Sequence, residues 1–197
     1  VAPGKRVVSI LPGSRVSEIK HLAPVFTQTI NKLVLTDPDL EFLLPFASAK
    51  VRETFFEVVG ENASLPQVRF LDGQARTALA ASDAALLASG TAALEAALLR
   101  CPMVVAYRVS AVSFWLARML ATTRYVSMPN HLMPTPLVPE FLQDQADQSN
   151  LSGAIARLLN APDHRNEMLQ GLSGIRDTLQ RDANYNIARL LGELAFG

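Results

Sequence analysis

Short, continuous apolar runs separated by helical stretches constrain the fold of this chain more than any other feature. The runs do not alternate apolar with polar residues, which is typical of strands buried on both faces of a parallel sheet. Six runs with this character predict strands at Arg6–Leu11, Glu41–Pro45, Val68–Leu71, Ala84–Leu87, Met103–Tyr107 and Tyr125–Met128.

The stretches between these runs have helical periodicity. Strands and helices alternating at these lengths predict an α/β fold with a doubly wound, parallel, Rossmann-like sheet. Right-handed crossovers should place helices on both faces of that sheet. The clearest helical stretch carries a single apolar stripe, formed by Ile19, Leu22, Phe26, Ile30 and Leu33.

Beyond Met128 the pattern changes. Residues Pro129 to Pro139 include four prolines and predict an extended, stiff loop. Three helices, Ser149–Asn160, Asp163–Leu179 and Asn184–Phe196, are expected to close the chain, with no further strand.

Composition excludes several classes of protein. An apolar share of 49% with 18% charged residues is typical of a globular chain, and a net charge of zero gives no general field for nucleic acid. The single cysteine, Cys101, excludes an internal disulfide, and His21, His131 and His164 have no metal-site spacing. No run is long enough to span a bilayer, and no signal peptide is visible. Because the chain opens on Val1, we expect it to be part of a longer protein.

One segment, Ser110–Ala121, is apolar almost all round. Phe114 and Trp115 are adjacent in it, and Arg108, Arg118 and Arg124 lie nearby. A helix buried against the sheet explains this composition, and so does a helix on a membrane or partner surface with arginine anchors.

The first strand ends in a loop suited to an anion. Gly13 allows close backbone approach, Ser14 adds a hydroxyl, and the Arg15 guanidinium matches phosphate oxygens. The loop is neither a Walker loop nor a dinucleotide fingerprint. Because Pro24 fits best in the first turn of a helix, we expect the helix to begin near Leu22–Ala23 and the anion contacts to come from loop amides and Arg15.

A second loop of this kind follows the fourth strand. Ser89-Gly90-Thr91 lies between an apolar run and a segment of strong helix-forming residues that continues to Arg100. Glu95 lies one turn into that helix on the same face as Thr91, so its carboxylate could accept two hydroxyls of a sugar. The alternative is an ordinary capped helix with a solvated glutamate.

The two loops are expected to meet. In the common strand order 3-2-1-4-5-6, the first and fourth strands are neighbours at the point where the order reverses. Arg15 and the amides around Gly90 would then share one crevice. This predicts a pocket for a nucleoside diphosphate, with Glu95 on the ribose.

Other candidates are weaker. Asn130 and His131 lie in the proline-rich loop, where a ligand contact competes with a plain surface position. Asp72-Gly73 follows the third strand as a turn whose backbone could border a base. Ser89 has no base near it and is not in a nucleophile elbow.

These motifs resemble the carboxyl-terminal half of the lipid-A-disaccharide synthase family over nearly the whole chain. The most specific match is the Ser-Gly-Thr-Ala-Ala-Leu-Glu run that ends at Glu95. The match continues in order through Leu11–Arg15 with Ser17-Glu18, Leu71–Gly73, Ala81–Glu95, Pro102–Arg108, Tyr125–Asn130 and Leu137–Asp144.

The resemblance implies an inverting, metal-independent GT-B hexosyltransferase that needs no cofactor. It would join UDP-2,3-diacylglucosamine to 2,3-diacylglucosamine 1-phosphate and release UDP. It would act in the cytoplasm of Gram-negative bacteria, peripheral to the inner membrane, as a homodimer built through its carboxyl-terminal helices. Residues 1–145 would form the Rossmann-like UDP-sugar-binding domain and residues 146–197 a helical segment packed on it or on a partner.

Site residues follow from the same resemblance. Arg15 would stabilise the diphosphate leaving group, and Glu95 would hold the ribose. The acceptor domain and the general base would lie outside this chain, which alone should be inactive. The remaining substrate-binding residues would be Gly13, Ser14, Glu18, Ser89, Gly90, Thr91 and Asn130.

The chain departs from the family where a Gly-Arg stretch is common, because Met133-Pro134-Thr135-Pro136 stands there and lacks its charge. Two alternatives stay open: another GT-B UDP-sugar transferase or epimerase, and a non-catalytic nucleotide-binding or dimerisation module.

Overall fold

The fold is a six-stranded parallel sheet between two layers of helices. A computed structural model of the chain describes residues 4–60, 65, 67–110, 114, 125–175 and 178–179. The strands are β1 Val7–Leu11, β2 Glu41–Phe46, β3 Val68–Asp72, β4 Ala84–Ala88, β5 Met103–Tyr107 and β6 Glu140–Leu142. The helices are α1 Val16–Thr36, α2 Ala49–Val59, α3 Ala75–Ala80, α4 Thr91–Leu98, α5 Met128–Leu132 and α6 Gln148–Asn160, followed by a helical stretch over 162–175.

The strand order is β3-β2-β1-β4-β5-β6, the common order 3-2-1-4-5-6, although β6 is not the sixth strand that the sequence predicts. β1 and β4 pair in parallel, with Leu11 opposite Leu87 at their carboxyl ends. Every residue of both strands is buried. The two loops that follow these strands therefore leave the sheet side by side, at its centre.

Helices cover both faces, as right-handed crossovers require. On one face α1 packs between α2 and α6, and on the other α3, α4 and α5 form a contiguous layer. The predicted apolar stripe of α1 is confirmed, since Ile19, Leu22, Phe26, Ile30 and Leu33 are all buried in the core.

Arg6, just before β1, ties α6 to this core. Its guanidinium donates to the carbonyl of Leu159 at 3.2 Å and to Asn160 Oδ1 at 2.7 Å, and it pairs with Asp37 at the end of α1. A cation at two helix carboxyl termini is favourable, because the carboxyl end of each helix dipole carries partial negative charge. The division at residue 145 stays a prediction, although α6 packs closely on the sheet domain.

The predicted start of α1 is wrong. The helix begins at Val16, directly after Arg15, and Pro24 lies inside it. Pro24 removes the hydrogen bond that a residue there would donate to the carbonyl of Lys20, and its ring crowds that carbonyl. The buried stripe and the capping carboxylate of Glu18 outweigh this loss, so the amino end of α1 faces the first loop.

The predicted sixth strand is also wrong. Tyr125 and Val126 are irregular, and Met128 opens the short helix α5, with Pro129 in its first turn, where proline is favoured. The stiff loop is therefore shorter than predicted. A different segment, β6, pairs with β5 through Glu140–Leu142, so a strand does follow the proline-rich region.

The predicted helix Ser149–Asn160 is confirmed. The next predicted helix, Asp163–Leu179, is confirmed over 163–175. The third, Asn184–Phe196, lies outside the described residues, as does most of the apolar segment Ser110–Ala121. Among the helices that the structure describes, none has the length and apolar character needed to cross a bilayer.

Candidate functional site at the carboxyl ends of β1 and β4

The loop after β1 is closed by a carboxylate of its own. Glu18 Oε2 accepts hydrogen bonds from the backbone amides of Ser14 at 2.8 Å and Arg15 at 3.2 Å. Glu18 lies three residues after Arg15, the N-cap of α1, which is the spacing of a capping box. The predicted phosphate contacts of these amides are thus taken by Glu18 here. Its carboxylate faces its own loop, and its substrate contact stays a prediction.

Arg15 is the accessible cation of this loop. Its side chain is 80% exposed, and its Nη1 lies 3.5 Å from Glu18 Oε1, a loose pair that leaves most guanidinium donors unused. Such a group can turn toward an anion at the sheet edge without breaking a buried contact. On this loop, the guanidinium is therefore the better candidate for a phosphate contact.

Gly13 is required by this arrangement. Its φ is +127°, and a Cβ placed on it would lie 2.5 Å from Glu18 Oε2 and 2.6 Å from Glu18 Cβ. The Glu18 side chain therefore folds over the position where any other residue would carry its first side-chain atom. Gly13 therefore shapes the loop, and its substrate contact stays a prediction.

Gly13→Ala is expected to destabilise the chain by about 1–3 kcal/mol, because alanine is strained in the left-handed backbone conformation and its Cβ displaces the Glu18 side chain. Urea denaturation measures the loss. Gly90→Ala is the matched control, since a Cβ at Gly90 has no atom within 4 Å and should change stability by less than about 0.5 kcal/mol. Equal losses in both variants would contradict this account of Gly13.

The loop after β4 is open on its outer side. Gly90 is the N-cap of α4, Thr91 is its first residue, and both are exposed. The leading amides of a helix have no partner within it, so they are available to an anion. Within the described part of the chain, neither the Thr91 hydroxyl nor the half-buried Glu95 carboxylate has a hydrogen-bond partner.

The Ser89 hydroxyl, by contrast, is already engaged. It donates to the backbone carbonyl of Val126 at 2.7 Å and so ties the β4–α4 loop to the segment before α5. The Ser89 amide donates to the carbonyl of Ala106 within the sheet. Ser89 therefore positions the loop, while Gly90 and Thr91 present the free groups.

Asn130 has a structural role that the sequence did not reveal. It is 2% exposed. Its Nδ2 donates to the carbonyl of Val138 at 2.8 Å and to Glu140 Oε1 at 2.7 Å, while its Oδ1 accepts from the amides of Leu137 at 2.7 Å and Val138 at 2.8 Å. The predicted substrate contact of Asn130 would require this saturated amide to break its bonds. Asn130 instead holds the proline-rich loop against β6.

Glu140 is the residue that sequence analysis missed. It lies in the Leu137–Asp144 motif that supports the resemblance, but no role was predicted for it. Its carboxylate accepts from the amides of Val126 and Ser127, from the Ser127 hydroxyl and from Asn130. The other predicted positions do not join this centre: Asp72 pairs with Arg52, and His131 is exposed beside Tyr125.

Metal-ligating side chains do not cluster in the described ranges. No group of three or more His, Cys, Asp or Glu residues there could hold an ion. The described residues place a cation, Arg15, the open amino end of α4 and a carboxylate one turn further along at this edge, and these are groups suited to an anion.

Comparison with solved structures defines the fold. Over 98% of its length the chain superimposes on 45% of CalG4, the calicheamicin glycosyltransferase, with a TM-score of 0.65 and 17% identity. At that identity the likeness concerns the fold. The chain has the fold of one half of a GT-B glycosyltransferase, and the two loops leave the sheet side by side at the edge where such sheets bind ligands.

The sequence places it more narrowly. The family model for lipid-A-disaccharide synthetase matches residues 1–190. The chain is 44% identical over 190 residues to the lipid-A-disaccharide synthase of Klebsiella pneumoniae and 42% identical over 190 to that of Vibrio vulnificus. In both comparisons 96% of this chain aligns with 50% of the relative. The chain belongs to the lipid-A-disaccharide synthetase family and spans about half the length of these relatives.

Proposed function

We propose that this chain is the UDP-sugar-binding half of a lipid-A-disaccharide synthase. It would bind UDP-2,3-diacylglucosamine, whose sugar is transferred to 2,3-diacylglucosamine 1-phosphate with inversion and without a metal, giving the disaccharide 1-phosphate and UDP. Family membership favours this function over an epimerase, another UDP-sugar transferase or a non-catalytic module.

One observation carries the proposal. The pairing of Leu11 with Leu87 brings the exposed Arg15 and the open amino end of α4 to the same edge of the sheet. A diphosphate needs a cation and directed N–H donors, and both are present there.

The roles of the residues follow from where charge develops. As the bond to the sugar breaks, negative charge moves onto the diphosphate, so a contact from Arg15 strengthens in the transition state. The amides of Gly90 and Thr91 would bind the same group. Glu95, one turn further along α4, would accept the ribose hydroxyls.

The remaining partners come from the resemblance. They are an acceptor domain that supplies the general base, a second copy joined through the carboxyl-terminal helices, and the cytoplasmic surface of the inner membrane. Residues 180–197, which would take part in the dimer, lie outside the described residues.

UDP titration by calorimetry tests the proposal. We expect the chain to bind UDP and to transfer no sugar by itself, because the base would lie elsewhere. Uridine without phosphates is the control ligand and should bind much more weakly. A chain that fails to bind UDP, or that binds uridine equally well, would contradict a diphosphate site.

A further inference from the structure

We propose that Glu140 is a positioning residue for the donor site, acting through the Val126–Ser127 peptide group on Ser89. The inference rests on the proposed function and extends it to a residue that would touch neither UDP nor sugar. Its basis is a continuous chain of hydrogen bonds from the edge strand β6 to the loop that opens α4.

The first link is the Glu140 carboxylate. Its Oε2 accepts from the amide of Val126 at 2.8 Å, and its Oε1 accepts from the Ser127 amide at 3.1 Å and from the Ser127 hydroxyl at 2.6 Å. Asn130 Nδ2 is a fourth donor, at 2.7 Å. With two oxygens and several lone pairs, an ionised carboxylate can accept all four bonds, which a neutral side chain cannot do.

The second link is one rigid peptide plane. The carbonyl of Val126 and the amide of Ser127 belong to the same planar group. Glu140 binds the amide end of this group, while the carbonyl end accepts the Ser89 hydroxyl. Bonds at both ends of a peptide polarise and orient it, so the acceptor offered to Ser89 depends on Glu140.

The third link is the loop itself. Ser89 directly precedes Gly90 and Thr91, whose amides are the proposed diphosphate donors. Ser127 and Asn130 are fully or almost fully buried, so water is poorly placed to replace the carboxylate. Loss of Glu140 should therefore loosen the loop rather than remove a ligand contact.

Glu140→Gln is the most informative variant. Glutamine has one acceptor oxygen in place of two. Its NH₂ group must therefore face either the Val126 amide, which bonds Oε2 in the wild type, or the three donors that bond Oε1. We expect UDP binding to weaken by about three- to tenfold, less than the loss of a direct charge-assisted contact, because Glu140 would act on the site only through the loop. Calorimetric titration of the 197-residue chain with UDP measures it.

A double-mutant cycle with Ser89→Ala separates positioning from general destabilisation. If Glu140 acts through Ser89, Glu140→Gln should cause no further weakening once the Ser89 hydroxyl is gone. Glu41→Gln is the matched control. That carboxylate pairs with Arg69 at 3.3 Å at the amino end of β2, away from the loops, and its loss should leave UDP affinity unchanged.

The outcomes are distinct. Wild-type affinity in Glu140→Gln, or effects of the two substitutions that simply add, would overturn this inference and leave the proposed function intact. Failure of the wild-type chain to bind UDP would overturn both. If Glu140→Gln does not fold, Ser127→Ala removes only the 2.6 Å bond and should weaken UDP binding slightly, again only when Ser89 is present.

Discussion

UDP is expected to bind the Arg15→Ala variant about ten- to a hundredfold more weakly than the wild-type chain. The substitution removes a planar cation that would make charge-assisted hydrogen bonds to the diphosphate, each worth about 1.5–3 kcal/mol. It breaks no tight native contact, because Arg15 is 80% exposed and pairs only loosely with Glu18. The folded state should therefore be preserved, and calorimetry should report the loss of binding directly.

Two further variants sharpen this test. Arg15→Lys keeps the positive charge but loses the planar set of guanidinium N–H donors. Its affinity for UDP should therefore lie between those of the wild type and Arg15→Ala. Arg69→Ala removes an arginine that pairs with Glu41 far from the loops and should bind UDP normally. Salt should weaken wild-type binding more than Arg15→Ala binding, because the lost contact is exposed and screened. Equal affinity of Arg15→Ala and wild type would exclude Arg15 from the site.

The second large effect concerns stability at alkaline pH. Burial, with a contribution from the nearby Asp83 carboxylate and partial opposition from Arg165, raises the pKa of Cys101 from 9.0 to about 12. The thiol then stays protonated in the folded chain at a pH where it ionises in the unfolded chain. The unfolded state therefore binds fewer protons, and stability falls as pH rises above about 9.

Between the two pKa values, the free energy of unfolding falls by up to about 1.4 kcal/mol for each pH unit. Urea denaturation from pH 8 to pH 11 should show it as a declining free energy of unfolding. Cys101→Ala provides the control, because it removes the thiol and leaves every other ionisable group in place. The free energy of unfolding of the variant should fall less steeply, and parallel profiles would contradict the assignment.

The sheet could be predicted from sequence because its signals are local. Continuous apolar runs such as Ala84–Leu87 have few uses other than a strand buried on both faces, and the alternating helices then fix a parallel order. The pairing of β1 with β4 followed from a common topology and is confirmed by the register. Because the two loops follow these strands, the same pairing places the Arg15 and Gly90 loops next to each other.

The errors arise where distant contacts decide the structure. Pro24 is a poor interior helix residue, but burial along one side of α1 and capping by Glu18 keep the helix intact around it. β6 is only three residues long and half-buried, so its sequence gives little strand signal. It is fixed instead by pairing with β5 and by the Glu140 contacts.

The positions of the candidate residues in the fold were predicted better than their contacts. Arg15, Gly90 and Thr91 lie where their motifs indicated. Glu18 and Asn130 are polar residues in the same motifs, yet their side chains satisfy the backbone. A motif records which residues occur together. It does not distinguish a ligand contact from a side chain whose partners lie within the protein, three or four positions away for Glu18 and seven to ten positions away for Asn130.

A crystal structure of the chain with UDP would show where the diphosphate binds. We expect the diphosphate between the Arg15 guanidinium and the backbone amides of Gly90 and Thr91, with the ribose hydroxyls on Glu95. A diphosphate bound elsewhere, with Arg15 still beside Glu18 and the amino end of α4 empty, would contradict this expectation.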